Sequence, residues 1–131
     1  MTGKFSASSA TNTGADAVIT VPSDQQWRVK SVEVDLNTSA QVANRYLGVY
    51  GIVNGLGICD VPSSYVQTAG AHPYYTFAPG IVTDAAIVDG DIRVGFPEIC
   101  LGPGDTIGTT ASGIQSGDVV NIRVNYEAFI A

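Results

Sequence analysis

Residues 119–130, VVNIRVNYEAFI, decide the fold class. Val120, Ile122, Val124, Tyr126, Ala128 and Ile130 share one phase, and Asn121, Arg123, Asn125 and Glu127 the other. Strict alternation at period two is the mark of a half-buried antiparallel strand, because successive side chains leave a strand on opposite faces. Working outward, residues 26–38 alternate in two phases: Trp27 and Val29 on one, Val32, Val34 and Leu36 on the other. A one-residue slip near Lys30-Ser31, the effect of a β-bulge, reconciles them. Ala17 to Val21 is a short β-branched run stopped by Pro22. Arg45 to Asn54 is apolar on both phases and predicts a strand covered on both sides. Ser64 to Thr68, Tyr74 to Ala78 and Thr106 to Thr110 read as short strands. Asp89-Gly90 is a tight-turn signal leading into Ile92 to Phe96, while Ile81 to Val88 fits a strand or a helical turn.

Composition agrees. Val and Ile total 27 residues against 4 Leu, and β-branched side chains suit a pleated surface better than a helix. About seven to nine strands with turn signals every ~8–12 residues predict an all-β, antiparallel two-sheet sandwich. A jelly roll is the favoured form, since it protects its edges by folding eight strands into two sheets. An immunoglobulin-like sandwich competes, without the Cys-Trp-Cys spacing. Residues 1–14 are Ser, Thr, Ala and Asn with one aromatic, Phe5, and read as an extended arm before a single domain at 15–131. On that reading, deleting residues 1–13 leaves the sandwich intact and weakens attachment to a neighbour.

The net charge of −6 and six dispersed bases (Lys4, Arg28, Lys30, Arg45, Arg93, Arg123) argue against nucleic acid, which needs clustered cations. No apolar run is long enough to span a membrane, and the N-terminus lacks a secretory h-region. Cys59 and Cys100 read as free thiols, with a disulfide across two sheets as the alternative. No catalytic motif occurs: G-x-S-x-G, H-E-x-x-H, the P-loop and G-x-G-x-x-G are all missing, and His72 reads as a polar loop residue. The expectation is a protein that is not an enzyme and has no cofactor. Asp84, Asp89 and Asp91 form the one acidic cluster; turn capping explains them better than a cation. Tyr65, Tyr74, Tyr75 and Phe77 are close in sequence and suit core packing, a protein interface or stacking on sugar rings.

Two segments carry a family pattern. One is Trp27 to Val34 followed by Thr38 to Leu47; the other is Pro103 to Ile107, then Gly113 to Asp118 and the terminal strand. Together they resemble the small all-β accessory proteins of tailed-bacteriophage virions, above all capsid decoration (cement) proteins. The resemblance covers about half of the chain. It implies a jelly roll without catalytic residues that assembles, often as a trimer, on the outside of the head. It also implies synthesis in the host cytoplasm and the major capsid protein as partner. The candidate interface residues are Lys4, Phe5, Tyr46, Tyr50, Tyr74 and Tyr75. A carbohydrate- or receptor-binding module using Tyr74 and Tyr75, or a neck or tail component, is the alternative.

Overall fold

The computed structural model of the chain describes residues 3–81 and 91–131. Those residues form ten strands: β1 (Lys4–Thr13), β2 (Val18–Thr20), β3 (Gln25–Asn37), β4 (Arg45–Val53), β5 (Leu56–Gln67), β6 (Tyr74–Ala78), β7 (Asp91–Gly95), β8 (Cys100–Leu101), β9 (Thr106–Ser112) and β10 (Val119–Ile130). The larger sheet has the order β1-β10-β3-β6-β7, with β8 also paired to β3; the smaller sheet has the order β2-β9-β4-β5. The fold is all-β and two-sheeted, and one core cluster joins the layers. Ile19, Leu47, Val49 and Ile107 from the smaller sheet belong to it together with Val34, Leu36, Phe77, Ile92 and Ile122 from the larger. Each such side chain, fully buried, contributes about 1.5–3 kcal/mol.

The terminal alternation holds where core is available. Val120, Ile122 and Val124 are fully buried and Tyr126 nearly so, but Ile130 is 78% exposed. Ile130 lies opposite Gln25, the first residue of β3, where the core cluster has ended. The slip in β3 is real. Its ladder with β10 steps from Ser31↔Asn125 to Val29↔Tyr126, leaving Lys30 unpaired in that ladder and both apolar phases facing inward. Trp27 then stacks on Tyr126 with ring centroids 3.7 Å apart.

Three expectations are corrected. The supposed arm is strand β1, paired over all ten residues with β10 of its own chain rather than held by a neighbour. Backbone hydrogen bonds hold it, and these leave no trace in hydrophobic periodicity. The strand placed at Ser64 begins at Leu56. Asn54 and Gly55, with φ of 50° and 78°, make the two-residue turn whose positive dihedrals match strand twist, so β4 returns directly as β5. The sheets are not wholly antiparallel, because β6 and β7 run parallel. Cys59 lies on β5 and Cys100 on β8, in different sheets, and both are free thiols, the favoured of the two sequence readings. The segment Ile81 to Val88 and the Asp89-Gly90 turn lie, apart from Ile81, outside the described residues.

Candidate functional site

The outer faces of the two sheets differ in chemistry. On the smaller sheet, register places Val18, Tyr46, Tyr50, Ile52 and Val66 outward beside Thr106, Gly108, Thr110 and Ser112. Asp60 stands on that face opposite Tyr50, and Asp16, two residues before Val18, is near enough for its charge to act on Tyr50. Tyr46 is 48% exposed, so among the described residues nothing fully covers the second face of β4 at that position. Tyr50 is half-buried because it lies over Gly108; a methyl group there would sit 2.9 Å from the Tyr50 hydroxyl. Burial, and then the charge of Asp16, push the Tyr50 phenol up. A shallow groove beside Gly48 is walled by Tyr46, Pro62 and Thr110.

The larger sheet turns a polar face outward. Thr11, Asn121, Asp35, Tyr74 and Asp91 stand in one row across five strands, and Ser9, Arg123, Glu33, Thr76 and Arg93 in the next. These rows bound a groove of about 570 Å3. Its side chains are fixed by neighbours. Thr11 donates to Asn121 at 3.1 Å, Thr76 to Asp91 at 3.3 Å, and Asn125 to Glu33 at 3.0 Å. His72 Nε2 contacts Asp35 Oδ1, and the His72 ring lies 5.5 Å from Tyr74. The Tyr74 ring is 57% exposed at the groove wall.

Tyr75 is withdrawn from the interface set, since it is fully buried. Its hydroxyl donates to Gln67 Oε1 at 2.7 Å, and Gln67 in turn donates to the Leu36 carbonyl at 2.6 Å. Burial, with a smaller contribution from Tyr65, pushes its phenol well above the ordinary range. The alternation in Tyr74-Tyr75-Thr76-Phe77 already carried that signal: Tyr75 and Phe77 share the inward phase. Lys4 and Phe5 are exposed on edge strand β1, Phe5 at 73%, away from Tyr46 and Tyr50 on the other sheet. The six candidates therefore do not form one site.

Of the acidic cluster, Asp91 lines the polar groove, while Asp84 and Asp89 lie outside the described residues. Among the described residues, no three metal-ligating side chains gather into a metal site, and His72 is hydrogen-bonded to no serine or cysteine. Of the bases, Arg45 is fully buried, and Arg28 and Lys30 share Glu98. The groove residues Asp35, Asn121 and Arg123 escaped sequence reading. Only the register of β10 against β3 and β6 brings them beside Tyr74.

No protein-family model matches the sequence, and no curated protein matches it. The solved structures that the chain is similar to include the following three. One is from the virus-like particle of extra small virus of the giant freshwater prawn Macrobrachium rosenbergii, with 11% identity, a TM-score of 0.38, and coverage of 95% of this chain and 79% of that one. Another is from infectious bursal disease virus strain Gx, with 13% identity, a TM-score of 0.31, and coverage of 96% of this chain and 38% of that one. The third is CorA, a surface-associated copper-binding protein of Methylomicrobium album BG8, with 11% identity, a TM-score of 0.24, and coverage of 92% and 94%. At such TM-scores these likenesses carry no argument about function.

Proposed function

We propose that this chain is a structural virion protein, a jelly roll that decorates the outside of a tailed-phage head and stabilises subunit junctions there. The strand pairs β1·β10, β2·β9, β3·β6 and β4·β5 nest one inside the next. Wrapping four nested antiparallel pairs into two sheets is the jelly-roll path, with β7 and β8 added to it, and this supports the fold named. Fold alone assigns no function.

The observation that carries the reading is the outer face of the smaller sheet. Val18, Tyr46 and Val66 are exposed there, and among the described residues the charges beside them are Asp60 and, near Tyr50, Asp16. Covering such a face removes apolar area from water without stripping many ions of their hydration, as an assembly contact requires. In the particle it is divided between neighbouring copies in a trimer and the major capsid protein beneath. Repeated attachment of an oligomer multiplies weak contacts into tight binding.

The test is addition of purified protein to heads that lack it, followed by particle reconstruction. Density outside the shell with the Tyr46 face turned inward is expected, and Tyr46→Asp should weaken binding roughly 100-fold if it buries an unpaired charge. Density in the neck or tail, or the Tyr46 face turned to solvent, overturns the proposal. Sedimentation as a monomer at micromolar concentration overturns the trimer.

A further inference from the structure

We infer that the groove on the outer face of the larger sheet is a binding site for a neutral saccharide, with Tyr74 as its stacking platform. A pyranose presents two kinds of surface. One side of the ring carries a patch of C–H bonds that packs on an aromatic face, and its rim carries hydroxyl pairs that match planar acceptors and donors. Tyr74 supplies the first: it is 57% exposed on strand β6, with its ring 5.5 Å from the His72 ring, which Asp35 holds. The same row supplies the second, with Asp35 on one side of Tyr74, Asp91 on the other, and Asn121 one strand further. Arg123 adds a donor from the adjacent row, and among the described residues it makes no ion pair.

Charge and size narrow the ligand. Glu33, Asp35 and Asp91 outweigh Arg123 in the lining, so a phosphate, sulfate or acidic sugar meets repulsion, whereas hydroxyl groups donate to carboxylates readily. A volume of about 570 Å3 lies within the range of small-molecule sites and accommodates one or two hexose units. A basic peptide is the competing occupant. It is disfavoured because the exposed Tyr74 ring offers a flat packing surface rather than the row of backbone partners that an extended peptide pairs with. The site lies on the sheet opposite the proposed attachment face, so its occupancy is independent of that proposal.

The test is a nitrogen-15 NMR titration of the full chain with methyl glycosides of glucose, galactose, mannose and N-acetylglucosamine, and with their disaccharides. Saturable shifts are expected at Asp35, Tyr74, Thr76, Asp91 and Asn121 with at least one of these sugars. Tyr74→Ala should weaken that binding roughly tenfold, Tyr74→Phe should retain it, and Tyr46→Ala on the opposite sheet should leave it unchanged. Tyr74 is exposed, so the folded spectrum of each variant is its own control. The inference is overturned if no sugar shifts these residues. It is equally overturned if Tyr74→Ala binds as wild type does, or if an oligolysine peptide saturates the groove while the sugars do not.

Discussion

Arg45 and Asp118 form a two-pronged ion pair with both side chains fully buried: Nε donates to Oδ2 at 2.8 Å and Nη2 to Oδ1 at 2.9 Å. The pair joins the first residue of β4 to the residue preceding β10. Asp118 also accepts from the Ser39 amide and hydroxyl at 2.8 and 2.9 Å, and from the Gln115 amide at 2.9 Å. Arg45 spends a further N–H on the Ala43 carbonyl. Two loops, after β3 and after β9, are thereby pinned at one end of the sandwich. Burial by itself pushes the Asp118 carboxyl up; the hydrogen bonds from Arg45, Gln115 and Ser39 outweigh it and hold the group well below the ordinary carboxylate range.

Removing one partner should cost more than the pair contributes. Asp118→Asn leaves the Arg45 charge buried and unmatched, and should destabilise the fold by about 3–5 kcal/mol in urea unfolding. The pH dependence has a definite sign. A carboxyl depressed in the folded state contributes stability above its unfolded pKa, near ~3.9, and loses it as pH falls toward the folded value. Wild type should therefore lose its advantage over Asp118→Asn between roughly pH 5 and pH 2. A constant difference across that window would show that Asp118 does not titrate this way.

Tyr126 offers a test of register. It faces the core, stacks on Trp27 and shares a 2.9 Å hydrogen bond with Ser8. Tyr126→Asp buries an unpaired charge and should cost about 3 kcal/mol or more, whereas Arg123→Gln on the outward phase should stay within about 0.5 kcal/mol. Equal losses in melting temperature would place β10 one residue out of register.

What was legible in the sequence follows from which force holds each element. Strands β3 and β10 were readable, bulge included, because their inward side chains are buried against the smaller sheet and periodicity records burial. Strand β5 was half missed although Asn54-Gly55 is a strong hairpin signal; its ladder slips twice, at Tyr46/Gly48 and Gly51/Ile52, and that breaks the alternation. Strand β1 was not legible as part of the sheet, since Ser8 and Ala10 are only half-buried and its hold is backbone pairing. The polar groove draws its lining from five strands, so only sheet order assembles it. Arg45 counted only as one of six dispersed bases, and nothing local to it discloses a partner 73 positions away.

Two glycines separate backbone strain from lack of space. Gly55 and Gly113 have nearly the same φ, 78° and 80°, in the left-handed region that penalises a Cβ. Around Gly55 nothing lies within 4 Å, while an added Cβ at Gly113 runs into the Asn44 carbonyl oxygen. Gly55→Ala should cost about 1 kcal/mol, and Gly113→Ala about 3 kcal/mol or more. Similar melting losses for both would mean that the 113–118 loop shifts to make room.

Removing β1 should destabilise the protein even when it is free of any particle. Deleting residues 1–13 strips ten residue pairs from β10, takes the Ser8 partner from Tyr126 and uncovers the flank where Ala10 packs. Against this stands the freedom regained by ten ordered residues, on the order of 1–2 kcal/mol each, which cancels most of the hydrogen-bond and burial loss. A net deficit of about 2–4 kcal/mol is expected, enough to lower the melting temperature by roughly 10 °C at this chain length. The truncated protein should also associate, because β10 becomes a long bare edge whose N–H and C=O groups can template another strand. A synthetic peptide, KFSASSATNT, should add back to that edge and raise the melting temperature again, since main-chain hydrogen bonds supply most of the pairing. A truncated chain that melts at the full-length temperature and stays monomeric would return residues 4–13 to the role of a dispensable arm.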